Sequence, residues 1–265
     1  MNLNEIYSVL DQFAPKCLSD EYCKLYDAYD NSGILIDTGE NIEKILFSLD
    51  LSKGAVVSAK ESGCRLIVTH HPVIYGGITS LAANQPSHAN LLACIQAGIS
   101  VVSMHLNLDC ADGGVDESLA CAVRKAAGAG ETQEVRMRPV RNGAYGRAYD
   151  ILPCTAAYLA DALSEELQAK RTMVYGGEQT VKRAVSCCGA GVDEQVLQFA
   201  LRQGADVLIS SDIKHHLLTA ALEMGLAVIA PTHYAAENYG FKKYYEKISK
   251  AISLPCVFYT DGRLL

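Results

Sequence analysis

Residues 53–72 read KGAVVSAKESGCRLIVTHHP and hold a helix, a stop, a strand and a polar ending in immediate succession. Lys53 to Ser62 has the pattern of a helix, and Gly63 supplies the stop. Leu66-Ile67-Val68 is too short and too apolar to be anything but a buried strand. His70, His71 and Pro72 then follow at its carboxyl end. The same grammar extends on both sides. Upstream, MNLNEIYSVLDQF reads as an amphipathic helix, and Ile34-Leu35-Ile36 and Ile45 to Leu49 read as strands. Downstream, His88 to Gln96 is helical and closes at Gly98, Ile99 to Ser103 is a strand, and Glu117 to Ala127 is a helix. Strands alternating with helices predict an α/β layered structure with mixed, mostly parallel sheets.

The second half runs through the pattern again. Val181 to Cys187, Val207 to Ser210 and Leu226 to Ala230 are strands. Asp193 to Arg202, closed by Gly204, and His215 to Glu223, closed by Gly225, are helices, as is Leu159 to Lys170. SGCRLIVTHH (62–71) can be laid over QGADVLISSD (203–212), and AGISVVSMH (97–105) over MGLAVIAPTH (224–233), which predicts an internal duplication. Gly128 to Gly146, rich in Gly and Arg, is the expected boundary, giving lobes at 1–130 and 131–265.

Composition narrows the class. The chain has 265 residues, enough for two domains, with 49% hydrophobic and 20% charged residues. A formal charge of −7 argues against a general nucleic-acid or anionic-membrane binder. No apolar run approaches the roughly 18 residues that span a bilayer, and the N-terminal pattern is not that of a signal peptide. Both point to the cytoplasm. The ten cysteines form no CxxC pair and read as reduced core thiols, with a redox role for Cys187-Cys188 as the alternative. One stretch is unusual. Between Leu66 and Leu108 there is no Asp, Glu, Lys or Arg, yet it holds His70, His71, His88 and His105.

Polar residues just past a parallel strand stand where open α/β sheets place their ligands. Three strand ends carry groups that ligate metals: His70-His71, HLNLD (105–109) and THYAAEN (232–238). Imidazoles with carboxylates suit zinc, iron, manganese or nickel. His233 and Glu237, four apart, share one face if that segment is helical. Each cluster taken singly has an ordinary reading: a hydrogen-bonded histidine pair, or a helix cap at Asp109. His88 reads as a cap or surface residue. His215 and His216 are equally suited to helix N-terminal packing and to a supporting role at a site. No P-loop or nucleophile elbow is present, and GAGVDE (189–194) lacks the third glycine of a dinucleotide fingerprint.

These motifs together resemble those of the dinuclear-metal family labelled GTP cyclohydrolase 1 type 2, or Nif-three-like proteins. YDNSGILIDTG (29–39) is similar to that family's WDNxGLxxG, with Tyr for Trp. LIVTHHPVIYGG (66–77), HLNLDCADGGVDESLA (105–120), SCCGAG (186–191), GADVLISSDIKHH (204–216) and THYAAE (232–237) resemble its further motifs nearly end to end. Leu106, Ser211 and Pro231-Thr232 depart from the family pattern without removing a ligand. The resemblance implies two divalent metal ions in a cleft between two similar lobes, held by His70, His71, Asp109, His233 and Glu237, with His105 beside them. His105 there is a candidate catalytic proton shuttle or a hydrogen-bond partner of a ligand. The resemblance also implies a homohexamer built as a trimer of dimers and a small-molecule substrate. Five ligands leave open coordination positions, and Asp109 or Glu237 is the expected bridge, since a carboxylate can span two metals. The expected activity is hydrolysis of a nucleotide or a phosphorylated or cyclic small molecule. The alternative is a non-enzymatic metal-binding, metal-delivery or scaffold protein.

Overall fold

Gly63, Gly98, Gly204 and Gly225 all adopt left-handed backbone, with φ of +71°, +62°, +62° and +81°, and each turns the chain from a helix into a strand. The elements they punctuate were obtained as a computed structural model describing residues 1–130 and 132–265. In chain order they are α1 (Leu3–Phe13), α2 (Lys16–Tyr26), β1 (Gly33–Ile36), β2 (Ile45–Ser48), α3 (Lys53–Glu61), β3 (Leu66–Thr69), α4 (Pro86–Gln96), β4 (Ser100–Ser103), α5 (Leu106–Cys110), α6 (Val115–Ala126), β5 (Glu134–Val140), β6 (Gly143–Thr155), α7 (Ala156–Leu167), β7 (Thr172–Tyr175), β8 (Thr180–Ser186), α8 (Glu194–Arg202), β9 (Val207–Ile209), α9 (His215–Glu223), β10 (Ala227–Pro231), α10 (His233–Ala251) and β11 (Cys256–Tyr259). Helix starts are set by side chains that accept otherwise unpaired amides. Asn2 and Glu5 form a capping box at α1, Ser52 caps α3 and Asp193 caps α8.

The chain divides into two units. The first comprises residues 1–111 and 241–261, and the second 112–240 and 262–265. The first unit carries a sheet of order β1-β4-β3-β2-β11, in which β11, β2, β3 and β4 are parallel and β1 is antiparallel to β4. Leu46, Val56, Ala59, Ile67, Leu91, Cys94 and Val101 fill one face of it with α3 and α4. The second unit's sheet has the order β5-β6-β8-β9-β10-β7, with β8, β9 and β10 parallel and β5, β6 and β7 joined antiparallel.

The duplication is visible in topology. β1-β4-β3-β2 and β7-β10-β9-β8 are the same arrangement: three successive parallel strands linked by helices, with an antiparallel strand on the third. In both units the third strand leads into a helix that opens with a histidine and bears a carboxylate four residues on, His105 and Asp109 in one, His233 and Glu237 in the other.

The division of the chain differs from the 130/131 boundary. Within the Gly/Arg-rich stretch, residues 134–140 and 143–146 pair as β5 and the start of β6 rather than forming a linker, registered at Val140↔Gly143. Residue 131 itself lies outside the described residues. The alternation in β5 is weak because it is an edge strand with one exposed face, so no apolar run announces it. β11 returns to pair with β2 at Cys256↔Ile45 through Tyr259↔Ser48. Parallel pairing across such a separation leaves no local trace in sequence. The second sheet also has more antiparallel than parallel pairs, because β5, β6 and β7 are added around the parallel trio.

Candidate metal centre

The polar residues at the strand ends fall where the chain must turn away from the sheet. In the first unit, the backbone amides of His70 and His71 both donate to the Leu49 carbonyl, at 3.1 and 3.0 Å. Thr69 and Ser103 fix the same turn by donating to the carbonyls of His71 (2.9 Å) and His70 (2.7 Å). His105 follows β4, and its amide donates to Ser32 Oγ.

The imidazoles share one orientation. His70 Nδ1 lies 2.7 Å from the Met104 carbonyl, His71 Nδ1 2.7 Å from Asp50 Oδ1, and His105 Nδ1 2.7 Å from Asp30 Oδ1. Carbonyls and carboxylates only accept, so each Nδ1 is the protonated nitrogen and donates. The lone pair of each neutral ring is therefore on Nε2. The three rings cluster, with centroids 5.1 Å apart for His70 and His71, 5.2 Å for His70 and His105, and 5.9 Å for His71 and His105. One ligand atom from each lies within 4.8 Å of the others. Asp109 Oδ1 is 3.4 Å from His70 Nε2, and His70 has no solvent exposure.

Two groups here have displaced titrations. Burial works against the ionised Asp30 carboxyl, but the His105 hydrogen bond and charge, with the Ser32 and Ser19 hydroxyls, outweigh it and hold Asp30 well below the usual carboxylate range. For His105, burial opposes the charged ring, and the Asp30 hydrogen bond and the Asp109 and Asp30 charges override it, so its pKa is raised.

In the second unit, Thr232 Oγ1 accepts from Ala235 N and starts α10, which places His233 and Glu237 one turn apart. His233 Nδ1 lies 2.7 Å from Asp212 Oδ2, which leaves Nε2 facing Glu237 Oε2 at 2.8 Å. Glu237 is buried, at 3% exposure. Gly189, with φ +59°, leaves the room they occupy: a Cβ there would collide with Glu237 Oε1 and stand 3.4 Å from His233 Nε2. Gly189 is held in turn. Its carbonyl accepts from the amides of Ser211 (3.3 Å) and Asp212 (3.1 Å). Asp116 accepts from Cys188 N (3.1 Å), Gly146 N (3.0 Å) and the Arg147 guanidinium, and both Asp116 and Arg147 are fully buried.

The remaining sequence candidates separate. His215 and His216 are exposed at the start of α9 and belong to none of the metal-compatible groups among the described residues. His88 accepts from Ala82 N through Nδ1, a local tie. Burial pushes the Cys187 thiol up to about 12, so it carries no thiolate, and all ten cysteines are free thiols. Sequence reading missed the partners that orient the rings. Asp50 stands two residues past β2 and could have been found by the same strand-end rule. Asp30 precedes a strand, and a backbone carbonyl such as that of Met104 has no sequence signature.

These donors fit a divalent transition metal. Imidazoles fixed through Nδ1 by a carboxylate or carbonyl present Nε2 as the ligand atom, and buried carboxylates stand beside His70 and His233. The class of protein is thus a duplicated α/β fold bearing His/Asp/Glu groups able to hold a metal ion. The family model Duf34/NIF3 (NGG1p interacting factor 3) matches residues 1–261, and the chain belongs to this family. Among curated relatives, a GTP cyclohydrolase 1 type 2 homolog of Clostridium perfringens is 26% identical over 95% of this chain and 93% of its own. The Protein NIF3 homolog of Schizosaccharomyces pombe is 27% identical over 81% of this chain and 80% of its own. Among solved structures, a Bacillus cereus protein related to NIF3 superposes with a TM-score of 0.80 at 18% identity, covering 98% of this chain and 97% of that one. Reduced HcgD from Methanocaldococcus jannaschii gives 0.75 at 24% identity, covering 97% of each.

Proposed function

We propose that the protein is a metal-dependent hydrolase of a nucleotide or another phosphorylated or cyclic small molecule, using two divalent ions held by His70, His71, Asp109, His233 and Glu237. The observation that carries this reading is the common anchoring of His70, His71, His105 and His233 through Nδ1, which turns four Nε2 atoms into ligand or proton-transfer positions. A Helicobacter pylori relative, 25% identical over 89% of this chain and 87% of its own, is named GTP cyclohydrolase 1 type 2, which favours a hydrolytic role on a purine nucleotide or a chemical neighbour of one.

Two bound divalent ions supply Lewis acidity, lowering the pKa of a water and neutralising charge on attacking and leaving oxygens. The chain's own residues do the rest. His70 and His71 would hold an ion through Nε2, their rings kept from rotating by the Met104 carbonyl and Asp50. Asp109 and Glu237 would each supply carboxylate oxygens to the ions. His105, whose Nδ1 proton is committed to Asp30, takes or gives a proton at Nε2. The protein works in the cytoplasm as a homohexamer, a trimer of dimers. The first assignment is supported by its free thiols, the second by the family resemblance of its motifs.

The test is elemental analysis of anaerobically purified protein, followed by a hydrolysis screen with that metal restored. Asp109→Ala and Glu237→Ala should each fall below two metals per chain and lose turnover while keeping the fold. Two tightly held ions in both variants would sink the ligand set. Exchangeable metal with no turnover would favour metal delivery instead.

A further inference from the structure

Burial explains only part of the uncharged stretch from Leu66 to Leu108. β3 and β4 are wholly buried, where a charge would be costly. The segment between β3 and α4 is different: Tyr75, Ile78 and Leu81 are 63%, 39% and 44% exposed. Exposed chain is where charged residues normally collect, yet there is none here. This segment and the first turns of α4 line a cavity of about 490 Å³, within the range of small-molecule sites. Val73, Ile78 and Leu91 give it apolar wall, Gln85, Ser87 and His88 give it hydrogen-bonding groups, and no Asp, Glu, Lys or Arg is among its lining residues. His88 accepts from Ala82 N at Nδ1, so its neutral ring offers Nε2–H as a donor.

The cavity wall is tied to the segments that orient the imidazole cluster. Asn31 Nδ2 donates to the Ile74 carbonyl at 2.8 Å, and Tyr75 Oη donates to the Tyr29 carbonyl at 3.1 Å, with the two tyrosine rings packed edge to face at 5.1 Å. Tyr29 and Asn31 flank Asp30, the partner of His105. Asn90 Nδ2 donates to the Leu51 carbonyl at 2.8 Å, next to Asp50, the partner of His71. The wall begins at Pro72, directly after His71.

We propose that this cavity receives the uncharged ring portion of the substrate, a flat nitrogen heterocycle such as a nucleobase, and leaves the phosphate-bearing portion outside. The assignment rests on the hydrolase reading above and names the part of the substrate held next to the cluster. Apolar wall covers the ring faces, and the amide, hydroxyl and imidazole groups meet its edges. A phosphate would need a cation or a free helix N-terminus. The lining holds no Lys or Arg, and at the start of α4 Pro86 removes one of the first-turn amides that could hold an anion.

The experiment is calorimetric titration of the full-length, metal-loaded protein with adenosine, guanosine and uridine, and separately with ribose 5-phosphate. At least one nucleoside should bind. Ile78→Ala, which removes apolar wall, should weaken it about threefold to tenfold. Ser87→Arg, which fills the cavity with a charge, should weaken it about tenfold or more. Ribose 5-phosphate affinity should change in neither variant. Absence of nucleoside binding, nucleoside affinity indifferent to both variants, or marked tightening of ribose 5-phosphate by Ser87→Arg would each overturn the assignment. Metal content and turnover are measured in the same samples. Their loss in the wild type defeats the hydrolase reading, whereas their retention without nucleoside binding defeats the cavity assignment alone.

Discussion

At the residue scale, the informative atoms are those behind the donors. A neutral imidazole can place its lone pair on either nitrogen, and the acceptor at Nδ1 makes the choice. Asp212→Ala should therefore weaken metal binding about 10- to 100-fold without removing a ligand, read by competition with a chelating indicator. Wild-type affinity in that variant would mean that His233 is oriented by something else. Gly189→Ala introduces a Cβ where Glu237 lies and imposes a left-handed φ on alanine, costing about 1–2 kcal/mol in backbone strain alone. Its expected signature is a lowered melting temperature together with reduced metal content. The Asp30–His105 pair makes stability pH-dependent in metal-free protein. Asp30 is depressed below its ordinary 3.8, so its contribution is present above that pH and fades as pH falls. His105 is raised above its ordinary 6.5, so its contribution is complete below 6.5 and fades as pH rises through the raised value. Denaturant unfolding across this range should show Asp30→Asn losing most stability between these limits. A uniform loss at every pH would count against the pair.

At the element scale, the parallel trios carry the fold and the buried ion pair organises the second unit's loop. Ile67 is fully buried in β3, and Ile67→Ala should cost about 2–5 kcal/mol from lost transfer energy and the cavity left behind, measured by chemical denaturation. Arg147 reaches Asp116 with neither exposed to solvent. Removing Arg147 alone leaves an uncompensated buried carboxylate and should cost about 3–5 kcal/mol. Because Asp116 also holds Cys188 N, next to Gly189, Arg147→Ala should disturb His233 and Glu237 as well. Replacing Arg147 and Asp116 together with apolar residues should recover much of the stability but not the loop geometry.

At the scale of the whole chain, the repeated strand order explains why chemically related residues recur at corresponding points. The third parallel strand of each unit delivers a histidine and, four residues later, a carboxylate. If metal binds the folded chain preferentially, its removal lowers stability by mass action. Chelation should therefore lower the melting temperature reversibly, and sedimentation before and after chelation should report six chains. No helix among the described residues is long and apolar enough to cross a membrane.

The strand and helix run from β2 to β4 and from β8 to β10 was legible in sequence because short buried strands and glycine stops are local signals. The candidate metal-binding residues His70, His71, Asp109, His233 and Glu237 could be picked out in sequence because each lies past such a strand. β5, β6 and β11 were not, since edge strands and long-range parallel pairing depend on neighbours distant along the chain. The uncharged stretch could be seen in sequence, but only the tertiary structure separated its buried strands from its exposed segment and revealed the cavity there. The tertiary structure likewise decided which nitrogen each imidazole presents. Orientation is set by acceptors that meet the ring in space: Asp30 is 75 residues from His105, and the Met104 carbonyl 34 residues from His70.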